Sequence, residues 1–172
     1  MTAHYDTFST AAGTFSVAVN ETGAVIATTF GDAAELRRRL KPGHWERGPK
    51  ETAVARRELT EFFRGERQKF TVKVDPTGTE FQMRVWAALR RIPYGQTRSY
   101  GQLAAEVGNP KASRAVGRAN GTNPVCPIIP CHRCIGADGS LTGFGFGEPL
   151  KRWLLDLESG ATRGHYATAP SR

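Results

Sequence analysis

The chain has 172 residues and a mass of 18.8 kDa, enough for one large domain or two small ones with an ordinary core, so no disulfide scaffold is needed. Its 39% hydrophobic and 23% charged residues, a mean hydropathy of -0.43 and the lack of any apolar run near the ~18–20 residues of a helical span exclude disorder and helical membrane insertion. Lys and Arg number 24 against 16 Asp and Glu, and the resulting net charge of +8 points to a polyanionic partner rather than a membrane.

In chain order, Phe15, Val17 and Val19 alternate with polar or small residues, and Asn20-Glu21-Thr22-Gly23 turns into Val25-Ile26, which predicts a short hairpin. Leu36 and Leu40 flank Arg37-Arg38-Arg39 on a surface helix. After the interruption from Pro42 to Pro49, Ala55, Leu59, Phe62 and Phe63 recur at helical spacing, with Gly65 as a stop signal. Phe70, Val72 and Val74 alternate with Thr71, Lys73 and Asp75, predicting a half-buried strand that completes the small sheet. Pro76-Thr77-Gly78 closes this α/β N-terminal domain, residues 1–78.

Residues 79–172 read as a mainly α-helical C-terminal domain. Thr79 and Gln82 form a capping box ahead of Phe81, Val85, Leu89 and Ile92, and Pro93-Tyr94-Gly95 ends that helix. Ser99 and Gln102 form a second capping box before Leu103 and Val107, with Gly108 as the left-handed terminator. Asn109 as N-cap and Pro110 at the first position predict the next helix through Ala112, Ala115, Val116 and Ala119. Two short helices joined by a glycine turn suggest a helix-turn-helix.

Charge coincides with that pair. Residues 1–78 carry 12 basic against 10 acidic side chains, and 79–172 carry 12 against 6. Between 81 and 133 only Glu106 opposes Arg84, Arg90, Arg91, Arg98, Lys111, Arg114, Arg118 and Arg133. Arg114 and Arg118, one helical turn apart, are placed to face phosphate or a groove, although a basic stripe is equally the solvated face of a helix.

The segment Asn123-Pro124-Val125-Cys126-Pro127-Ile128-Ile129-Pro130-Cys131-His132-Arg133-Cys134 carries the chemistry. Its cysteines lie too close together to staple a fold. As zinc ligands with His132 they are poorly arranged, because adjacent Cys131 and His132 make a cramped chelate, so no metal is expected. Cys126, between Val125 and Pro127, reads as a small apolar core residue. Cys131 differs: Pro130 fixes the backbone before it, and His132 and Arg133 favour thiolate over thiol. Leu150 to Glu158 reads as an amphipathic helix with Trp153, Leu154 and Leu157 inward, and Glu158 at its end is placed to reach His132. The first 30 residues hold no basic stretch followed by an apolar run, so the expected setting is the reducing cytoplasm, with free thiols.

Phe81-Gln82-x-x-Val85-Trp86, Ile92-Pro93-Tyr94-Gly95, Arg114-Ala115-Val116-Gly117, Asn123-Pro124 and Ile129-Pro130-Cys131-His132-Arg133 stand in an order and spacing that resembles the O6-alkylguanine-DNA alkyltransferase family, also called methylated-DNA-protein-cysteine methyltransferases. The resemblance is dense over residues 79–158 and loose before them. It implies a ribonuclease-H-like N-terminal domain, and stoichiometric, irreversible transfer of an alkyl group from O6-alkylguanine in double-stranded DNA to Cys131, without a cofactor. By the same resemblance His132 is the general base through a water, Glu158 orients it, Asn123 braces the active-site turn, and Tyr100 donates to the leaving guanine. Cys134, Phe144, Gly145 and Phe146 would line the substrate pocket, with the Gly145 N–H toward O6 and the carbonyls of Cys131 and Cys134 toward the exocyclic amine. Arg114 would be the base-flipping finger in a minor groove, with Ser113, Ala115, Arg118 and Tyr100 also on DNA. A monomer, with cooperative assembly on DNA left open, is expected.

Two positions depart from the family pattern. Cys134 stands where an aliphatic residue is usual, close enough to an oxidised Cys131 to suggest a disulfide. Phe146 replaces a usual glycine in Gly143-Phe144-Gly145-Phe146-Gly147 and would narrow the pocket, favouring methyl over benzyl. Two other readings fit the charge and helices: a helix-turn-helix regulator, and a non-catalytic lesion-binding protein. The first leaves Cys131, His132 and Glu158 without a purpose, and the second lacks the acceptor cysteine.

Overall fold

A computed structural model describes residues 2–166, which divide into two units, 2–75 with 160–166 and 76–159. The boundary thus precedes the expected one at residue 78, and the start of the C-terminal tail belongs with the first unit instead of the second. The backbone accounts for this: the Tyr166 N–H donates to the Ala11 carbonyl at 2.6 Å. The tail after residue 166 lies outside the described residues.

The first unit holds a mixed sheet in the order β3-β2-β1-β4. Strands β1 (Thr2–Thr10), β2 (Gly13–Val19) and β3 (Val25–Thr29) are antiparallel neighbours, and β4 (His44–Arg47) lies parallel to β1. The expected hairpin is β2–β3, where the Asn20 side chain accepts the N–H groups of Thr22 and Ala24 at the turn. Two helices accompany the sheet. Helix α1 (Ala33–Arg39) is N-capped by Asp32 and buries Leu36 with Ala18 and Ala27, and α2 (Ala53–Phe63) buries Leu59, Phe62 and Phe63. Phe15 meets both Phe30 and Phe63, with ring centroids 5.0 and 5.2 Å away.

The strand expected over Phe70–Val74 does not form; only Val74 makes an isolated bridge to Val25. The cause is Glu58, buried on α2, whose carboxylate accepts the N–H groups of Thr71 (2.8 Å) and Val72 (3.2 Å) and the Thr71 hydroxyl. Backbone donors committed to a side chain cannot build a ladder.

The second unit is mainly helical: α3 (Glu80–Arg90), α4 (Tyr100–Glu106), α5 (Ser113–Gly121) and α6 (Glu148–Ser159). Both capping boxes form, Thr79 with Gln82 and Ser99 with Gln102. Gly108 takes φ +86° after α4, the left-handed conformation that only glycine adopts cheaply. Helix α5 begins later than its sequence suggests, with Ala112 and not Asn109 as N-cap. The Asn109 carbonyl accepts the Ala112 N–H at 2.9 Å and closes a separate turn, and the i to i+4 ladder of α5 begins only with the Val116 N–H on the Ala112 carbonyl, also at 2.9 Å. A two-residue parallel pair, β5 (Arg98–Ser99) with β6 (Cys134–Ile135), ties the start of α4 to the end of the cysteine segment. No helix among the described residues is long and apolar enough to cross a membrane.

Candidate active site

The cysteine segment is held from within. Asn123 Nδ2 donates to the Ile129 carbonyl (2.7 Å), and its Oδ1 accepts the Val125 N–H (3.0 Å), so one buried amide closes the loop from both sides. The Ile129 N–H donates to the Val125 carbonyl (2.8 Å), and the chain then enters a 3₁₀ turn, Cys131–Arg133. Asn123 thus stands where the brace was expected. Cys131 opens the turn and is 3% exposed.

Burial by itself raises the pKa of the Cys131 thiol. Hydrogen bonds from the Cys126 and Asn123 side chains, together with the Lys151 ammonium, outweigh it and hold the thiol below its ordinary range. Thiolate is the nucleophilic form, so the environment favours reactivity.

The next residue, His132, is fully buried, and its Nε2 lies 2.6 Å from Glu158 Oε2. Glu158 also accepts Arg133 Nε (2.8 Å) and Nη2 (2.9 Å) and the Gly95 N–H (3.2 Å). Burial pushes the Glu158 carboxyl up, but His132 and Arg133 prevail and hold it at about 2. Burial lowers the His132 pKa more than Glu158 raises it, so the ring is neutral near pH 7. An ionised carboxylate only accepts, so the neutral ring carries its proton on Nε2 and keeps Nδ1 as the basic nitrogen.

Arg133 departs from its expected place. It is buried in the pair with Glu158, and its Nη1 donates to the Ile92 carbonyl at 2.8 Å. It therefore leaves the exposed basic stripe and serves as Glu158's counter-ion.

Lys151 was not singled out in the sequence, yet like Arg133 it is a buried cation of the site, at 0% exposure. Its Nζ donates to the Cys134 carbonyl at 2.5 Å and lies 5.8 Å from the ring centroids of both Tyr100 and Phe144. Burial lowers its pKa against the opposing pull of the three thiols. One signal was available: Lys151 falls on the apolar stripe of α6 with Leu150, Trp153, Leu154 and Leu157, seven positions before Glu158 on the same face.

The pocket-side groups are already engaged within the chain. The Tyr100 hydroxyl donates to the Thr142 carbonyl (2.6 Å), and burial, with the nearby thiols of Cys134 and Cys131, pushes its pKa up to about 12. The Cys131 carbonyl accepts the Cys134 N–H. The Cys134 thiol is buried and pushed up to about 12, chiefly by that burial. Phe144 and Phe146 meet edge to face with centroids 5.6 Å apart. A Cβ on Gly143, at φ +85°, would stand 2.6 Å from the Tyr100 hydroxyl, so that position favours glycine, and one on Gly145 would press on the Gly121 carbonyl at 3.2 Å. On α5, Arg114 and Arg118 are exposed, and Ser113 and Ala115 are half-buried beside them.

A family profile described as "6-O-methylguanine DNA methyltransferase, DNA binding domain" matches residues 80–160. The methylated-DNA–protein-cysteine methyltransferase of Methanosarcina barkeri is 42% identical over 161 residues, covering 93% of this chain and 99% of the relative. The chain belongs to that family. Another methylated-DNA–protein-cysteine methyltransferase, from Methanosarcina acetivorans, is 53% identical over 117 residues, 68% of this chain and 75% of its own. Among solved structures, Mycobacterium tuberculosis OGT in complex with DNA has a TM-score of 0.83 at 41% identity, covering 93% of this chain and 95% of that one. Family membership makes this an enzyme of the methylated-DNA–protein-cysteine methyltransferase class.

Proposed function

We propose that the protein repairs DNA by direct reversal, moving an alkyl group from O6 of guanine in a duplex to the Cys131 sulfur. The observation that carries this is a buried thiol drawn toward thiolate by Cys126, Asn123 and Lys151, immediately followed in the chain by the His132–Glu158 pair. His132 Nδ1 takes the thiol proton through a water, and Glu158 stabilises the resulting imidazolium. The sulfur then attacks the alkyl carbon. A carbon–sulfur bond forms as the carbon–O6 bond breaks, and the electron pair passes to the guanine, which a proton donor at N3 neutralises. Tyr100 is that donor, and it must exchange its bond to Thr142 for one to the base. The Gly145 N–H faces O6. The second lone pairs of the Cys131 and Cys134 carbonyls remain for the exocyclic amine.

Nothing in this scheme regenerates the thiol from a thioether, so each molecule acts once, and no cofactor takes part. Because Cys131 is 3% exposed, a base reaches it only if the groups around it yield. Phe146 narrows that entrance against large adducts. Helices α4 and α5 act as a helix-turn-helix in the minor groove. The half-buried Ser113 and Ala115 allow close approach, Arg114 fills the space left by the extruded nucleotide, and Arg118 holds phosphate. Basic contacts of this kind give salt-sensitive affinity that is largely independent of base sequence. The first unit is the ribonuclease-H-like domain of the family. The protein acts as a monomer in the cytoplasm, where a reducing setting keeps Cys131 a free thiol.

The test is a titration of a duplex carrying radiolabelled O6-methylguanine. Transfer should plateau at one methyl per protein and vanish in Cys131→Ala. Turnover beyond one equivalent, or transfer by that variant, would contradict the reading.

A further inference from the structure

Cys131-His132-Arg133-Cys134 is a Cys-x-x-Cys run, and the chain folds it as a single turn. Cys131–Arg133 is 3₁₀ helical, and the Cys134 N–H donates to the Cys131 carbonyl, the i to i+3 bond of that geometry. Side chains three apart on a 3₁₀ turn eclipse one another. The Cα atoms at the two ends of such a turn lie within about 7 Å, close to the ~4.4–6.8 Å that a disulfide spans. Both ends are held in place. The Cys131 N–H donates to the Ile129 carbonyl at 2.8 Å, while Cys134 pairs with Arg98 in the short parallel ladder and its carbonyl accepts Lys151 Nζ at 2.5 Å. Both side chains are buried free thiols, Cys131 at 3% exposure and Cys134 at 0%.

We propose that Cys131 and Cys134 form a reversible oxidation site for peroxides, in which Cys131 is oxidised first and Cys134 resolves it as a disulfide. The inference rests on the alkyl-acceptor reading above and says how that acceptor is protected. The Cys131 thiolate attacks a peroxide oxygen: the S–O bond forms, the O–O bond breaks, and the departing hydroxide takes up the thiol proton as water. Sulfur is oxidised to the sulfenic acid and the peroxide is reduced. The Cys134 sulfur then attacks the sulfenic sulfur. An S–S bond forms as the S–O bond breaks, and the hydroxyl leaves with the Cys134 proton as a second water. A dithiol reductant reverses the link by exchange and ends as its own disulfide. The surroundings set the order: the Cys131 thiol is held below its ordinary range, whereas burial pushes Cys134 up to about 12 and keeps it protonated. An acceptor that acts once is wasted if it is oxidised beyond the sulfenic acid, and the disulfide stops it at a form that a reductant restores.

The experiment treats the full chain with excess hydrogen peroxide, blocks the remaining thiols with N-ethylmaleimide and digests with trypsin without a reductant. In parallel, methyl acceptance from O6-methylguanine duplex DNA is measured before peroxide, after it, and after dithiothreitol. Wild type should fall from three free thiols to one, with peptide 119–133 joined to peptide 134–151. It should lose methyl acceptance and regain it with dithiothreitol. Cys134→Val, each time compared with its own untreated level, should lose acceptance and not regain it, its Cys131 carried on to sulfinic or sulfonic acid. Cys134→Ser repeats the comparison if Val packs poorly. No disulfide, a disulfide joining Cys126 to Cys131, or full recovery of the Cys134 variants would overturn the proposal. The disulfide forms without DNA, so linked peptides in a chain that accepts no methyl even before treatment would sink the functional reading and leave the redox pair standing.

Discussion

Glu158 shows how one side chain serves both stability and the proposed chemistry. It balances the buried Arg133 guanidinium and fixes the His132 tautomer, with its two oxygens shared among three residues. Its carboxyl is held at about 2, below the ordinary 4.5, so its contribution to stability is complete above pH 4.5 and is lost as pH falls toward 2. Glu158→Gln leaves Arg133 buried without its counter-charge and should cost about 3 kcal/mol in urea unfolding at pH 7. The deficit should shrink as pH drops through the same window, and a constant deficit from pH 7 to pH 2 would argue against the assignment. The contact between His132 and Glu158 was legible because a chemically paired His and Glu sat at the two ends of readable elements. Arg133 was not, because its burial depends on Ile92 and Glu158, which are distant in sequence.

At the scale of elements, α6 does more than close the second unit. It delivers Lys151 and Glu158, two turns apart on one buried face, to the Cys134 carbonyl and to His132. Capping boxes and terminal glycines made α3 and α4 readable, since their hydrogen bonds are local. The Phe70–Val74 segment and the start of α5 were misread because a distant carboxylate and a competing turn took the backbone donors. Strands β1 and β4 passed unread: β1 buries Asp6 and Thr10 with little apolar contrast, and β4 is largely exposed between Pro42 and Pro49. Helix α5 yields a prediction that separates DNA handling from chemistry. Arg114→Ala should slow transfer from duplex DNA by at least about tenfold, or about 1.4 kcal/mol of the few kcal/mol that unstacking a base costs, while reaction with free O6-benzylguanine stays unchanged. Equal losses on both substrates would place Arg114 in the chemistry and not in base extrusion.

Across the whole molecule, charge and reactivity are concentrated in the same stretch of chain. The acid-poor run from residue 81 to 133 reaches Cys131, the proposed nucleophile, and the groups that lower its thiol pKa, Cys126, Asn123 and Lys151, all belong to the unit spanning 76–159. The family was legible because five motifs stood in fixed order. The tail's place beside Ala11 was not, because a single backbone hydrogen bond leaves no pattern in composition. Everything proposed depends on which sulfur carries the alkyl group. After reaction with O6-methylguanine duplex DNA and trypsin digestion, the peptide spanning 119–133 holds both Cys126 and Cys131, and Cys134 opens the next one. Fragmentation should place a single added methyl on Cys131 in stoichiometric yield. A methyl on Cys126 or Cys134, or none on any cysteine, would contradict the account.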